Sequence, residues 1–187
     1  MKQVIRRAIL CLAVLALGAC VTPVPMVSQH AQPNEAMGYV AGIFYGGSYN
    51  YAFRLRNTST NVQVYMPFFE KNGHLLQVEP EQLNMIALPP GSYEITEWVT
   101  YAVIGNDRVT RKRLDQDGHG TINFVIKPGR VVYLGKFGIV ETYGGFERRF
   151  GLRPKLTQAA ELDWAFQHTY PAFSIDRVDA MRGAVRN

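Results

Sequence analysis

Leu88-Pro89-Pro90-Gly91-Ser92-Tyr93-Glu94-Ile95-Thr96-Glu97-Trp98-Val99-Thr100-Tyr101-Ala102-Val103 is the stretch that decides the fold. Tyr93, Ile95, Val99, Tyr101 and Val103 fall on alternate positions, the period of a strand with one buried face. Only Glu97 interrupts that face. The strand follows Pro89-Pro90-Gly91. Gly105-Asn106-Asp107 beyond it is a reversal signal.

The same period recurs on both sides. Tyr49, Tyr51, Phe53 and Leu55 alternate with Asn50, Ala52, Arg54 and Arg56, and Asn57 to Asn61 reads as a turn. Val62, Val64 and Met66 continue the alternation up to Lys71-Asn72-Gly73. Ile122, Phe124 and Ile126 form another run, closed by Pro128-Gly129, and Val131 to Ile139 is apolar on both sides, as a central strand is. Short strands separated by turns, with no long helices between them, predict a mainly β chain: an antiparallel β-sandwich of Greek-key, transthyretin or Ig-like type. One helix is expected near residues 157–170, with Thr157 as its cap, Glu161 and Asp163 near its N-terminus and Pro171 ending it. Ala159, Leu162, Phe166 and Tyr170 share the stripe that should dock on the sheet.

Ala87-Leu88-Pro89-Pro90-Gly91-Ser92-Tyr93-Glu94-Ile95, together with Phe124-Val125-Ile126-Lys127-Pro128-Gly129-Arg130-Val131-Val132-Tyr133-Leu134-Gly135, is similar to bacterial lipoproteins with a transthyretin-like or carboxypeptidase-regulatory-like β-sandwich. The similarity covers roughly residues 80 to 140. It implies a sandwich in which a Pro-Gly turn launches each of two strands, and it carries over no catalytic residue.

The N-terminus points to an envelope address. Lys2, Arg6 and Arg7 precede the apolar run Ala8 to Leu17, as in a secretory signal. Leu17-Gly18-Ala19-Cys20 resembles the lipobox of bacterial lipoproteins, which implies cleavage after residue 19 and a lipid on the Cys20 thiol. Val21 in place of Asp resembles the pattern of lipoproteins sent on to the outer membrane, which places the domain in the periplasm. Residues 20–37, with Pro23, Pro25 and Pro33, read as a tether able to reach about 50 Å when extended, and 38–187 as one domain. The signal holds three of the charges behind the formal net charge of +5. The remaining basicity makes no case for nucleic acid. With Cys11 removed and Cys20 acylated, no cysteine is left for an internal disulfide.

Asp115-Gln116-Asp117-Gly118-His119-Gly120-Thr121-Ile122 holds the candidate chemistry. Asp115, Asp117 and His119 imitate the start of an EF-hand loop, but its twelfth position is Ile126 where a bidentate Glu belongs. Gly118-His119-Gly120-Thr121 resembles the histidine motif of subtilisin-like proteases without its serine partner or the helix it should open. The plainer account is a Gly-rich turn with solvated Asp residues. Glu79 with Glu81, and Glu94 with Glu97, read as charged strand faces and not as an acid and base pair. No cofactor is implied.

Two basic clusters remain, Arg108, Arg111, Lys112 and Arg113, and Arg148, Arg149, Arg153 and Lys155. Near a membrane they suit anionic lipid heads or envelope polymer. Trp164 lies off the helix stripe, either covered by Phe173 and Ile175 of the tail or exposed as a contact; the covered reading is the expected one. The residues together predict a non-catalytic, lipid-anchored module that binds an envelope protein or polymer. A carrier of a small ligand walled by the Tyr49–Phe53 and Tyr93–Tyr101 strands comes second, and an envelope hydrolase built on His119 with Asp115 or Asp117 third.

Overall fold

The computed structural model describes residues 24–45, 50–69, 81–101, 110–117, 119–144, 147–173 and 175–176. Residues 1–23 with Cys20, Tyr49, Arg108, Gly118 and the turns expected at Lys71-Asn72-Gly73 and Gly105-Asn106-Asp107 lie outside the described residues. The strands are β1 (Gly38–Tyr45), β2 (Asn50–Asn57), β3 (Gln63–Phe69), β4 (Gln82–Leu88) and β5 (Gly91–Tyr101). They continue as β6 (Thr110–Arg113), β7 (Ile122–Ile126), β8 (Val131–Gly144), β9 (Glu147–Lys155) and β10 (Ile175–Asp176), and the described residues hold one α-helix, α1 (Ala159–Thr169).

The strands form two sheets, so the chain is a mainly β sandwich with a C-terminal helix and is not closed into a barrel. One sheet runs β3-β2-β5, with β6 and β7 on the far side of β5; the other runs β4-β1-β8, with β9 and β10 on the far side of β8. All pairings of the first sheet are antiparallel. The second departs from the expected antiparallel pattern, because β8 lies parallel to both β1 and β10. Parallel neighbours need a long connection, and β1 and β8 have one: β2, β3, β5, β6 and β7 all fold into the opposite sheet between them.

The Pro-Gly corners make this exchange possible. β4 and β5 belong to different sheets, yet only Pro89 and Pro90 separate them. Proline cannot extend either ladder, so both end there and the chain turns across the sandwich. The Tyr93 hydroxyl donates to the Pro89 carbonyl at 2.9 Å and clamps the corner. The second corner runs from β7 to β8, where Gly129 takes φ +68°, a conformation that a side chain disfavours, and its N–H donates to Met37 at 2.7 Å.

Packed between the sheets is an aromatic centre. Phe53 of β2 meets Phe137 of β8 edge to face at 5.0 Å, and Phe44 of β1 lies 5.9 Å from each. Tyr51, Leu55, Ile95, Trp98 and Leu134 complete it, all essentially without exposure. The long strand β5 is not uniform. Ile95 opposes Leu55 but Glu97 opposes Arg54, a bulge that leaves Thr96 unpaired. Past it the phase inverts, so Trp98 enters the core and Glu97 turns out to pair with Arg54. The expected inner set is corrected at Trp98, which joins the core between the sheets, while Val99 on the other face of β5 is also buried.

A second apolar cluster lies on the outer face of the β4-β1-β8 sheet. Leu162, Phe166, Tyr170 and Phe173 bury there against Tyr39, Ala41, Ile43, Leu83, Met85, Val131 and Tyr133. Ala159, expected on this stripe, is exposed. Thr157 does not cap the helix: Gln158 precedes it without a side-chain cap, and the Thr157 hydroxyl is 2.8 Å from that of Tyr133. Within residues 20–37, the part from Val24 onward is laid on the domain and is no spacer. Val24 N–H donates to Tyr65 of β3 at 3.1 Å, Met26 bridges Ile86 of β4, and Val27 N–H donates to Met85 at 2.8 Å. Edge strands offer unpaired backbone groups, and Val27, Ala31 and Met37 add apolar contacts to the helix-side cluster.

Removing the Phe53 ring leaves a hole where three aromatic rings meet. Phe53→Ala is expected to cost about 3–5 kcal/mol and lower Tm by on the order of 10 °C, read by thermal unfolding. A loss within 1 °C would mean that the two sheets do not pack through this centre.

Candidate functional site

The two basic clusters lie about 35 residues apart in sequence, and the fold brings them to one edge. β6 closes one sheet and β9 closes the other on the same side of the sandwich. The Lys112 ammonium crosses from β6 to donate to the Phe150 carbonyl of β9, and it lies 5.8 Å from the Trp98 ring centroid. His119 makes a second crossing, with Nε2 3.0 Å from the Leu152 carbonyl. A carbonyl only accepts, so Nε2 carries the proton. Both carbonyls belong to the free side of edge strand β9, and their capping by Lys112 and His119 blocks that side against further strand pairing.

This placement decides the Asp115–His119 string. Leu114–Asp117 form a 3-10 turn, and the Asp115 carboxylate takes two bonds from the Arg113 guanidinium, at 3.1 and 2.6 Å. Asp115 and His119 Nε2 are each engaged by a protein partner, and the flanking strands β6 and β7 both pair with β5 and not with each other, so the string is no hairpin turn. Among the described residues no three His, Cys, Asp or Glu side chains gather where a metal ion could be held. Asp117 belongs to the 3-10 turn.

Around the capped edge, Arg111 and Arg113 are exposed on β6, and Arg149, Arg153 and Lys155 on β9. Alternation along β9 turns Leu152 inward and these cations outward; Arg148 pairs with Tyr143 in the β8–β9 hairpin. Lys155 also lies 4.2 Å from the Tyr45 ring centroid. Arginine therefore flanks one edge on the outer faces of both sheets. Elsewhere Glu94 binds Arg56 at 2.7 Å and Glu97 binds Arg54. The aromatic strands expected to wall a ligand pocket supply Tyr51, Phe53 and Trp98 to the core.

A second polar constellation was not foreseen. Lys136, a cation inside the apolar strand β8, has a side chain only 8% exposed and is held by Glu81 and by Glu161 of α1, the latter at 2.5 Å. Its position inside the apolar run Val131–Ile139 is the signal that a partner had to exist. Burial alone pulls the ammonium down, but the hydrogen bonds and charges of the two carboxylates outweigh it and hold Lys136 above its ordinary 10.5. The hydrogen bond from Lys136 holds Glu161 below its ordinary 4.5. The triad latches the start of α1 to the sheet, while Trp164 on the outward helix face is 63% exposed. Covering of Trp164 by the tail is thus corrected: Phe173 packs edge-on to Tyr39 at 4.8 Å and Ile175 pairs with Val131. His168 stacks on the Trp164 ring at 4.2 Å, with its Nδ1 2.7 Å from the Trp164 carbonyl.

Because Glu161 is held low, its contribution is complete above the ordinary carboxylate value and is lost as pH falls through its own; Lys136, held high, contributes fully below 10.5 and loses that as pH rises past it. Glu161→Gln is expected to be less stable to urea near neutral pH, with the gap closing below the ordinary 4.5. A gap unchanged down to about pH 3 would show that the latch carries no charge.

No family model matches the chain, and no curated protein matches it. Among solved structures, a leucine-rich repeat protein from Bacteroides thetaiotaomicron aligns at 10% identity and a TM-score of 0.32, over 54% of this chain and 13% of that chain. The aligned part spans about an eighth of that protein's length, and a likeness of this size carries no argument.

Proposed function

We propose that the protein is a lipid-anchored, non-catalytic interaction module of the bacterial cell envelope, held by acyl chains on Cys20 at the outer membrane with its domain in the periplasm. Its contact surface is the edge where β6 and β9 meet, and its partner is an anionic envelope polymer. The observation that carries this reading is the convergence of Arg111, Arg149 and Arg153 on the two flanks of one edge, with Arg113 beside them paired to Asp115. A protein interface is expected to have an apolar centre; this edge has cations around a capped strand, which suits repeated negative charge on a flexible chain.

Binding of the full chain to polygalacturonate, a model polyanion, is expected to weaken with added salt. Arg111→Glu with Arg153→Glu should weaken it by about ten-fold or more, at about 1 kcal/mol for each charge near the surface. Arg56→Gln, on the outer face of the β3-β2-β5 sheet away from that edge, should leave it unchanged. Equal affinities for all three proteins would dismiss the edge as the contact surface.

A further inference from the structure

Trp164 stands 63% exposed on the outward face of α1, and neither the core, the latch nor the basic edge uses its ring. The route of the N-terminal segment supplies an occupant for that face. Val24 is bound to β3 and Met26 to β4, so four Cα steps separate Cys20 from the body of the domain. Four steps reach at most about 15 Å, against the roughly 50 Å available to a free tether of the whole segment. Acyl chains on Cys20 therefore hold the β3–β4 edge next to the bilayer.

Helix α1 adjoins that same edge. Val27 donates to the Met85 carbonyl, the Tyr170 hydroxyl is hydrogen-bonded to the backbone of the same Met85, and Val27 packs with Leu162, Phe166 and Tyr170 in one cluster. Trp164 lies six residues before Tyr170, about 9 Å along the axis, and Met26 is 37% exposed beside β4. Tryptophan favours the headgroup level of a bilayer, where its ring is buried and its N–H remains wet.

Resting on the lipid anchor at Cys20, we propose that the anchored domain is seated on its own bilayer, tilted so that the outward face of α1, with Trp164 and Met26, meets the lipid. The basic edge lies at the opposite side of both sheets from β3 and β4. β6 and β9 lie three strand spacings from β3 and β4, about 14 Å.

The chain has two tryptophans, and Trp98 is fully buried, so a change of emission on contact with lipid reports Trp164. The lipidated protein is reconstituted in vesicles of phosphatidylethanolamine and phosphatidylglycerol, with acyl chains on Cys20 read by intact mass. Bilayer-borne brominated lipid is expected to quench Trp164 emission by about half, and acrylamide quenching to fall several-fold relative to the soluble Cys20→Ser protein. Trp164→Phe should abolish both effects. A ten-residue Gly-Ser insertion between Cys20 and Val24 should keep the protein on the vesicle and restore acrylamide access. Acylated protein whose Trp164 stays fully open to acrylamide, or crosslinks from position 164 to another protein and not to lipid, overturns the seating alone. Cys20 without acyl chains overturns the seating and the anchored reading together.

Discussion

Two prolines separate a strand of one sheet from a strand of the other, and the architecture depends on that short corner. Since neither Pro89 nor Pro90 can donate to a ladder, β4 must stop and β5 must start across the sandwich. The inner faces of β2, β5 and β8 are then brought together, and Phe53, Phe137 and Phe44 meet between them. Tyr93 stiffens the corner through its hydroxyl and stacks on Phe124 at 6.0 Å, which ties β7 into the same arrangement. The second corner at Gly129 returns the chain to the sheet it left, which gives β1 and β8 their parallel pairing.

A sandwich made this way has open edges, and each is closed by a different device. At the β3–β4 edge residues 24–27 cross from one sheet to the other and take up backbone groups of both. At the β6–β9 edge the side chains of Lys112 and His119 satisfy carbonyls of Phe150 and Leu152. The first closure leads back to Cys20, and the second leaves arginines around its rim. The two ends of the proposed function, attachment and contact, thus occupy opposite edges of one sandwich.

Much of this is legible in the residues. The alternation of Tyr51, Phe53 and Leu55, the turn at Asn57–Asn61, where Asn57 Oδ1 accepts from Ser59 and Thr60 at 3.0 Å, and the central place of β8 all follow from local pattern. What is not legible is long-range. A single unpaired residue at Thr96 inverts the faces of β5, and Glu97 in the apolar run is its only trace. Lys136 stands out as a charge in a buried strand, but its partners lie 55 and 25 residues away and no local period can name them. His119 reads as chemistry because a histidine between glycines is conspicuous; its acceptor, a carbonyl of an edge strand, leaves no mark in the sequence. The prolines of residues 20–37 suggest a spacer, whereas an open sheet edge tolerates them.

The claim that matters most is that the β6–β9 edge, held away from the anchor, is where the protein meets its partner. A photo-crosslinking residue in place of Arg153, activated in intact cells, measures this most directly. The account predicts adducts with an anionic envelope polymer that disappear at high salt, and none from the same residue placed at Val62 beside β3. Adducts of equal yield from both positions, or none from 153, would contradict it.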